Sequence, residues 1–349
     1  MYYLKYRPKT IDEIDNVKAK EVLKNILKSP SLPHAFLFSG QKGTGKTSSA
    51  RIFAKTVNCQ DNLFSRKSKS IEPCNKCLNC LSIENSSSTD VIEIDAASNR
   101  GIDDIRNLIK TTSFLPMSNR FRIFIIDEAH MITHDAFNAL LKTLEEPPTS
   151  VIFILATTNE EKIPKTILSR CSIVKFGKGI KRDIVNMLKR ISVSEKIEED
   201  SKLFSLIADY CEDSFRDAAK IFEELKIQNK LNHDEAKKFL GIFKQDLLEL
   251  IEKKDIKNVF EWVEDFSQQG GNFKILIENL LNQLHDALLF KNGINNELKI
   301  EYGFSKEEIV KLIKYFTVAY QNLRISPIES LPLEIAIVEF YNQVSLKIN

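Results

Sequence analysis

The stretch Gly40-Gln41-Lys42-Gly43-Thr44-Gly45-Lys46-Thr47 decides how the rest of the chain is read. It has the form G-x-x-x-x-G-K-[ST], in which glycines let the backbone curl so that successive N–H groups face one anion. The apolar run Ala35-Phe36-Leu37-Phe38 enters it as a buried strand, and Thr47 to Ala54, which includes Ser48, leaves it as a helix. The helix N-terminus adds its dipole to the same concavity. Lys46 is placed to reach the β- and γ-phosphates of a nucleotide, and the Thr47 hydroxyl to sit on Mg²⁺. At average glycine content, a chance match in a chain this long has a probability of about one in a hundred. This chain is poorer in glycine than average, with 11 in 349 residues, which lowers that further.

Such a loop needs an acidic partner for the metal. Arg122-Ile123-Phe124-Ile125-Ile126 is apolar enough for a central strand of a parallel sheet, and it ends in Asp127-Glu128-Ala129-His130. An acidic pair there lies where open α/β sheets bind ligands. Asp127 is expected to hold Mg²⁺ through its water shell and Glu128 to polarise an attacking water. Val151 to Ala156 is a further strand, and Thr157-Thr158-Asn159 puts polar groups at its end, able to sense a γ-phosphate or position water. Val91–Asp95 and Ser172–Phe176 add two more strands. Helical spacing appears over about 17–28 and 133–146, and the stretch from Ala96 to Arg106 turns into a helix that continues to about Thr112. Strands alternating with helices predict a mostly parallel sheet with helices on both faces.

Cys59, Cys74, Cys77 and Cys80 follow the C-x₁₄-C-x₂-C-x₂-C spacing and supply four thiolates, the number a structural Zn²⁺ takes. The short steps let backbone N–H groups bond the sulfurs, and the polar insert Gln60–Pro73 is expected as an exposed loop. Protein would fill all four positions, so the module is structural rather than catalytic. The remaining composition is ordinary: 43% hydrophobic, 28% charged, net charge +2. It supports two or three cored domains, and any nucleic-acid site must be a local patch. No apolar run approaches a membrane span and the N-terminus lacks a signal-peptide core, so a cytoplasmic protein without disulfides is expected.

Gly177 to Gly179 reads as a linker. Beyond it no strand is expected. Helices at about 181–191, 200–210, 215–228 and 233–240 make a small bundle. Ser214 is a good N-cap for the third and places Arg216 in its first turn, where a positive charge opposes the dipole, a hint that it faces a ligand. From Phe243 onward, helices are expected over Asp246–Lys253, Lys257–Gln268, Phe273–Phe290, Lys306–Asn322 and Glu329–Val344, with turns at Gly270-Gly271 and Asn292-Gly293. Trp262 is expected in a core. No chemistry is visible there, so the default role is packing, internal or between subunits. The expected domains are 1–177 with the cysteine module at 59–80, a helical lid at 178–241, and an all-α collar at 242–349.

These motifs converge. With Tyr6-Arg7-Pro8, Leu37-Phe38-Ser39-Gly40 and its loop, the four cysteines, Ile94-Asp95-Ala96-Ala97-Ser98, Ile126 to His130, Phe137 to Pro148, Ala156 to Asn159, Ile167 to Cys171 and Ser214 to Ala218, the chain resembles the gamma/tau subunit of the bacterial DNA polymerase III clamp loader, an AAA+ (RecA-like) ATPase. Order and spacing hold over roughly residues 1–240, and the rest matches in helical character. The resemblance implies that Lys46, Thr47, Asp127 and Glu128 serve ATP and Mg²⁺, that Thr158 is sensor 1, and that Arg216 is sensor 2. It implies that Arg170, which has no evident partner in sequence, is an arginine finger entering a neighbour's ATP site. Tyr6, Arg7, Pro8 and Ile14 would flank the adenine, and Arg100, Arg106 and Lys142 would face DNA phosphates. The implied partners are delta, delta-prime, further gamma/tau copies, the sliding clamp, primer–template DNA and the polymerase core, in a nucleoid-associated replisome. Two departures stand out: Ile14-Asp15-Asn16 where the family has Val-Gly-Gln, and Asp213 where it has Gly. The length resembles the gamma form. The alternatives are a non-hydrolysing subunit of the delta-prime type and another AAA+ DNA motor such as a branch-migration helicase.

Overall fold

The strands β1 (Ala35–Gly40), β2 (Val91–Asp95), β3 (Arg122–Asp127), β4 (Val151–Thr157) and β5 (Ser172–Phe176) form one sheet, ordered β2-β3-β4-β1-β5, with every pairing parallel. The computed structural model describes residues 1–99, 101–240, 246–268, 271–293 and 302–345. It divides into two compact units, Met1–Ile227 and Gln228–Asn349. The expected positions Arg100, Phe243 and Gly270 lie outside the described residues.

In the first unit, α1 (Tyr2–Lys5), α2 (Val17–Lys28), α3 (Lys46–Asn58), α4 (Leu78–Glu84), α5 (Ile102–Thr112), α6 (His134–Glu145) and α7 (Lys165–Leu168) accompany the sheet. Side chains alternate along a strand, so β1, β3 and β4 each feed two cores. Phe36, Phe38, Ile123, Ile125, Ile152 and Ile154 meet Leu23 and Leu27 of α2 and Phe53 and Val57 of α3 on one face. Leu37, Phe124, Ile126, Phe153 and Leu155 meet Ile105 of α5 and Leu140 and Leu144 of α6 on the other. Every residue of β4 is buried. Each such side chain contributes roughly 1.5–3 kcal/mol. A charge at Phe153, stacked on Phe124 at 5.2 Å, would break both the pair and that face.

Three helices, α8 (Lys181–Glu195), α9 (Ser201–Tyr210) and α10 (Phe215–Ile227), complete the first unit. Ile184, Leu188, Ile191, Leu203, Phe204, Ile207 and Phe222 are buried among them. Ser214 does cap α10: its Oγ accepts from the Asp217 N–H at 3.2 Å. The second unit holds α11 (His233–Phe239), α12 (Leu247–Glu252), α13 (Ile256–Gln268), α14 (Phe273–Lys291), α15 (Lys306–Asn322) and α16 (Leu331–Ser345). Its core includes Leu248, Ile251, Phe266, Ile277, Leu284, Phe316, Ile337 and Phe340, with Trp262 half-buried and stacked on Phe266 at 5.3 Å. A capping box of Ser305 and Glu308 starts α15. Among the described residues no helix is long and apolar enough to cross a membrane.

Two local features go beyond the sequence reading. The N-terminal residues Tyr2–Lys5 form a helix, too short to persist alone. It is held by packing: Tyr2 is buried with its ring 6.2 Å from Phe222, and its N–H donates to Glu223 at 2.9 Å. The insert Gln60–Pro73 is not simply exposed. Phe64 and Ile71 lean on the core, and the fully buried Asn62 amide donates to the Thr56 carbonyl at 2.8 Å.

Candidate nucleotide and metal sites

The phosphate loop links β1 to α3 and owes its shape to two left-handed glycines. Gly43 has φ +80°, and a Cβ there would lie 1.9 Å from Ser214 Oγ. Gly45, at φ +97°, is the N-cap of α3. Larger residues would be strained at both and would push the loop off the start of α10 at the first. Lys46 is nearly buried, and its ammonium donates to the Gly40 and Gln41 carbonyls, both at 2.7 Å. Burial lowers its pKa, while Glu128 and Asp127 act in the opposite direction.

The acidic pair arrives from β3. Thr47 Oγ1 donates to Asp127 Oδ2 at 2.7 Å, which joins the loop to a strand two places away in the sheet. Glu128 has φ +47°, a conformation that costs a non-glycine residue about 1–3 kcal/mol. Its Oε2 accepts from Thr158 Oγ1 at 3.0 Å, at the end of β4. Lys46, Thr47, Asp127, Glu128 and Arg216 all line one cavity of the first unit, with Lys42, Gly43, Thr44, Gly45 and Ser48. Thr158 touches it through Glu128. Thr47 and Asp127 offer the hard oxygen atoms that Mg²⁺ takes, so the residues present fit that ion.

Around the rest of the cavity, Arg7 is half-buried and its pKa is lowered, first by burial, then by Arg51, with Glu93 opposing and Arg216 adding to the effect. Cations gathered at one wall of the cavity suit an anionic ligand. Tyr6, Pro8 and Ile14 also line the cavity, and the Tyr6 hydroxyl donates to Glu195 of α8. Asp15, where a glycine was expected, pairs with Arg190 of α8 at 3.1 Å. Burial pushes its carboxyl up to about 6, against the pull of Arg190. Asn16 caps α2, accepting from the Ala19 N–H at 3.2 Å, and donates to the Gly177 carbonyl at 3.0 Å. Asp213 has φ +58°, which explains why glycine suits that position. Sequence reasoning missed Tyr3: the Arg216 guanidinium lies 4.7 Å from its ring centroid. No local pattern marks Tyr3, because the contact joins the chain's first residues to α10.

Arg170 is not brought to this cavity. It has no evident partner in sequence, but in the fold its guanidinium pairs with Glu145 and donates to the Thr166 carbonyl at 2.6 Å. Glu145 ends α6 and Arg170 follows α7, a proximity created by the fold alone. Arg106 is exposed on α5, 3.8 Å from Asp103, and Lys142 is exposed on the adjoining α6.

The four Sγ atoms of Cys59, Cys74, Cys77 and Cys80 lie within 4.8 Å of one another. Thiolates at about 2.3 Å from a tetrahedral Zn²⁺ need little more than that closeness. Backbone N–H groups point at the sulfurs: Cys74 to Cys59 at 3.3 Å, Cys77 to Cys74 at 3.3 Å and Cys80 to Cys77 at 3.5 Å. Burial pushes Cys74 up, but N–H donors from Lys76 and Cys77 outweigh it and bring the thiol down to about 7. Burial pushes Cys80 up, a penalty a bound dication would reverse. The donors fit zinc. Lys55, fully buried, ties α3 to this module by donating to Glu84 at 2.6 Å and Asn75 at 2.9 Å.

Comparison with known proteins agrees with this architecture. The Thermotoga maritima RuvB Holliday junction branch migration motor is similar in structure, with a TM-score of 0.50 at 17% identity over 89% of this chain and 98% of that one. That likeness speaks for an AAA+ fold and nothing more specific. A family model described as "DNA polymerase III, delta subunit" matches residues 15–179. In sequence the chain is 34% identical to DNA polymerase III subunit tau of Bacillus subtilis over 97% of its length, though it spans 62% of that relative. It is also 34% identical to DNA polymerase III subunit gamma of Buchnera aphidicola subsp. Baizongia pistaciae, again over 97% of its length and here over 95% of the relative. With the cysteine module, phosphate loop and acidic strand end all in place, the chain belongs to the DNA polymerase III gamma/tau subunit family.

Proposed function

We propose that this chain is an ATP-hydrolysing motor subunit of a clamp loader, working in the cytoplasm with delta, delta-prime and further gamma/tau copies. It would open a sliding clamp and place it on primer–template DNA for the polymerase core. The observation that carries the ATPase reading is the 2.7 Å contact of Thr47 with Asp127 on the floor of the cavity that Lys46 and Glu128 share.

Lys46 and the N–H groups from Gly43 to Ser48 bind the phosphates. Thr47 and Asp127 would hold Mg²⁺, which would supply charge neutralisation to the phosphates. Glu128 accepts a proton from the attacking water, and Thr158 fixes one of its oxygens. Arg216 approaches the nucleotide from α10. The cavity lacks a finger of its own, and Arg170 is assigned to a neighbour's site, so turnover requires assembly. The helices α8 to α11, within 178–241, act as the lid. Residues 242–349 act as the collar, and Arg106 and Lys142 track DNA phosphates, a task that needs charge but no base contact.

The delta-subunit family model favours one second reading, a structural loader subunit that binds ATP without hydrolysing it. An intact Lys46, Asp127 and Glu128 set argues against it. ATP turnover by the reconstituted loader, with clamp and primed DNA, separates the two. Stimulated turnover supports the motor, and trapped ATP without turnover supports the structural subunit.

A further inference from the structure

His130 lies in a short 3-10 turn, Ala129–Met131, directly after Glu128, with its side chain 13% exposed. Its Nδ1 is 3.2 Å from Thr157 Oγ1 and 3.5 Å from Glu128 Oε2. Thr157 is fully buried at the end of β4. Its hydroxyl has one proton, which goes to the Asn159 carbonyl at 3.0 Å, and the Asn159 N–H donates back to the same oxygen at 3.1 Å. A carbonyl can only accept and an amide N–H can only donate. With its proton on the Asn159 carbonyl, Thr157 Oγ1 offers the imidazole a lone pair, the arrangement in which His130 Nδ1 carries a hydrogen. The same ring nitrogen lies 3.5 Å from Glu128 Oε2, the oxygen Thr158 already binds at 3.0 Å.

We propose that His130 is a positioning residue for Glu128: its Nδ1–H, oriented by Thr157, steadies Oε2 so that the carboxylate presents its other oxygen to the attacking water. The inference rests on the ATPase reading above. A glutamate has three rotatable side-chain bonds, and the Thr158 hydrogen bond together with the nearby imidazole at one oxygen restricts them before substrate arrives. Thr157 and Thr158, adjacent on one strand end, thus act on one carboxylate, the first through the imidazole and the second directly.

The test compares His130→Ala and His130→Asn in the assembled loader with clamp and primed DNA. Asparagine returns an N–H close to the imidazole Nδ1 position, and alanine returns none. We expect His130→Ala to lose about 10²-fold in kcat with KM changed by no more than about twofold, and His130→Asn to recover most of the loss. Wild-type turnover in both variants, or equal loss in both, would overturn the assignment. Nitrogen chemical shifts of the His130 ring give a readout independent of turnover: the Nδ1–H tautomer is expected, and an Nε2–H tautomer would also overturn it. A wild-type assembly that binds ATP and hydrolyses none would instead defeat the ATPase reading, with the tautomer still deciding the hydrogen-bond geometry.

Discussion

Lys46 sits nearly buried with its ammonium on two loop carbonyls, so it occupies the anion site it is built to serve. Lys46→Ala should leave assembly intact and reduce ATP turnover by about 10²–10³-fold, the cost of one preorganised charge contact. Turnover in the assembled loader checks this, and normal clamp loading by the variant would refute the assignment. Asp15 gives a pH-dependent prediction. Its folded carboxyl titrates at about 6, above its ordinary value of 3.8, so the folded state binds the extra proton between those values. Stability contributed by this group therefore falls as pH rises through that window and stays low at neutral pH. Urea unfolding of wild type and Asp15→Asn should show wild type gaining, relative to the variant, up to about 3 kcal/mol between pH 7 and pH 4; a difference independent of pH would sink it. Residues with a motif of their own, such as Lys46, Asp127 and Ser214, were legible in the sequence. Tyr3 beneath Arg216, Asp15 with Arg190, and Arg170 with Glu145 were not, because each pair joins elements distant in sequence and no local spacing encodes it.

At the scale of elements, α3 deserves most of the mechanical weight. It begins at Gly45 in the phosphate loop and ends at Cys59, a ligand of the cysteine module, which caps it. Buried Lys55 ties its last turn to Glu84 on α4. Metal analysis should find one zinc per chain, in keeping with one four-thiolate cluster among the described residues. Cys77→Ser should lose that zinc and lower the melting temperature of the first unit, since structural zinc contributes folding free energy directly. A metal-free protein of unchanged melting temperature would contradict the module. The strands were readable from apolar runs and the helices from their periodicity, because tertiary burial and local pattern agree there. The helix α1 and the half-buried insert after Cys59 were not, since both are shaped by packing against distant surfaces rather than by their own propensities.

For the whole molecule, the decisive feature is that the cavity gathers Lys46, Thr47, Asp127, Glu128 and Arg216 while Arg170 stays outside it, paired with Glu145. On the proposed reading, the phosphate loop is one side of a joint that a neighbouring chain completes. An arginine supplied in trans is worth about 10³–10⁵ in rate in nucleotide hydrolases. Arg170→Ala should therefore keep nucleotide affinity near that of wild type and abolish stimulated hydrolysis. The most direct test is ATP turnover by the wild-type and Arg170→Ala loaders, each fully assembled with clamp and primed DNA, alongside the isolated chain. The account predicts strong turnover only in the wild-type assembly; equal turnover by the Arg170→Ala assembly, or by the isolated chain, would contradict it.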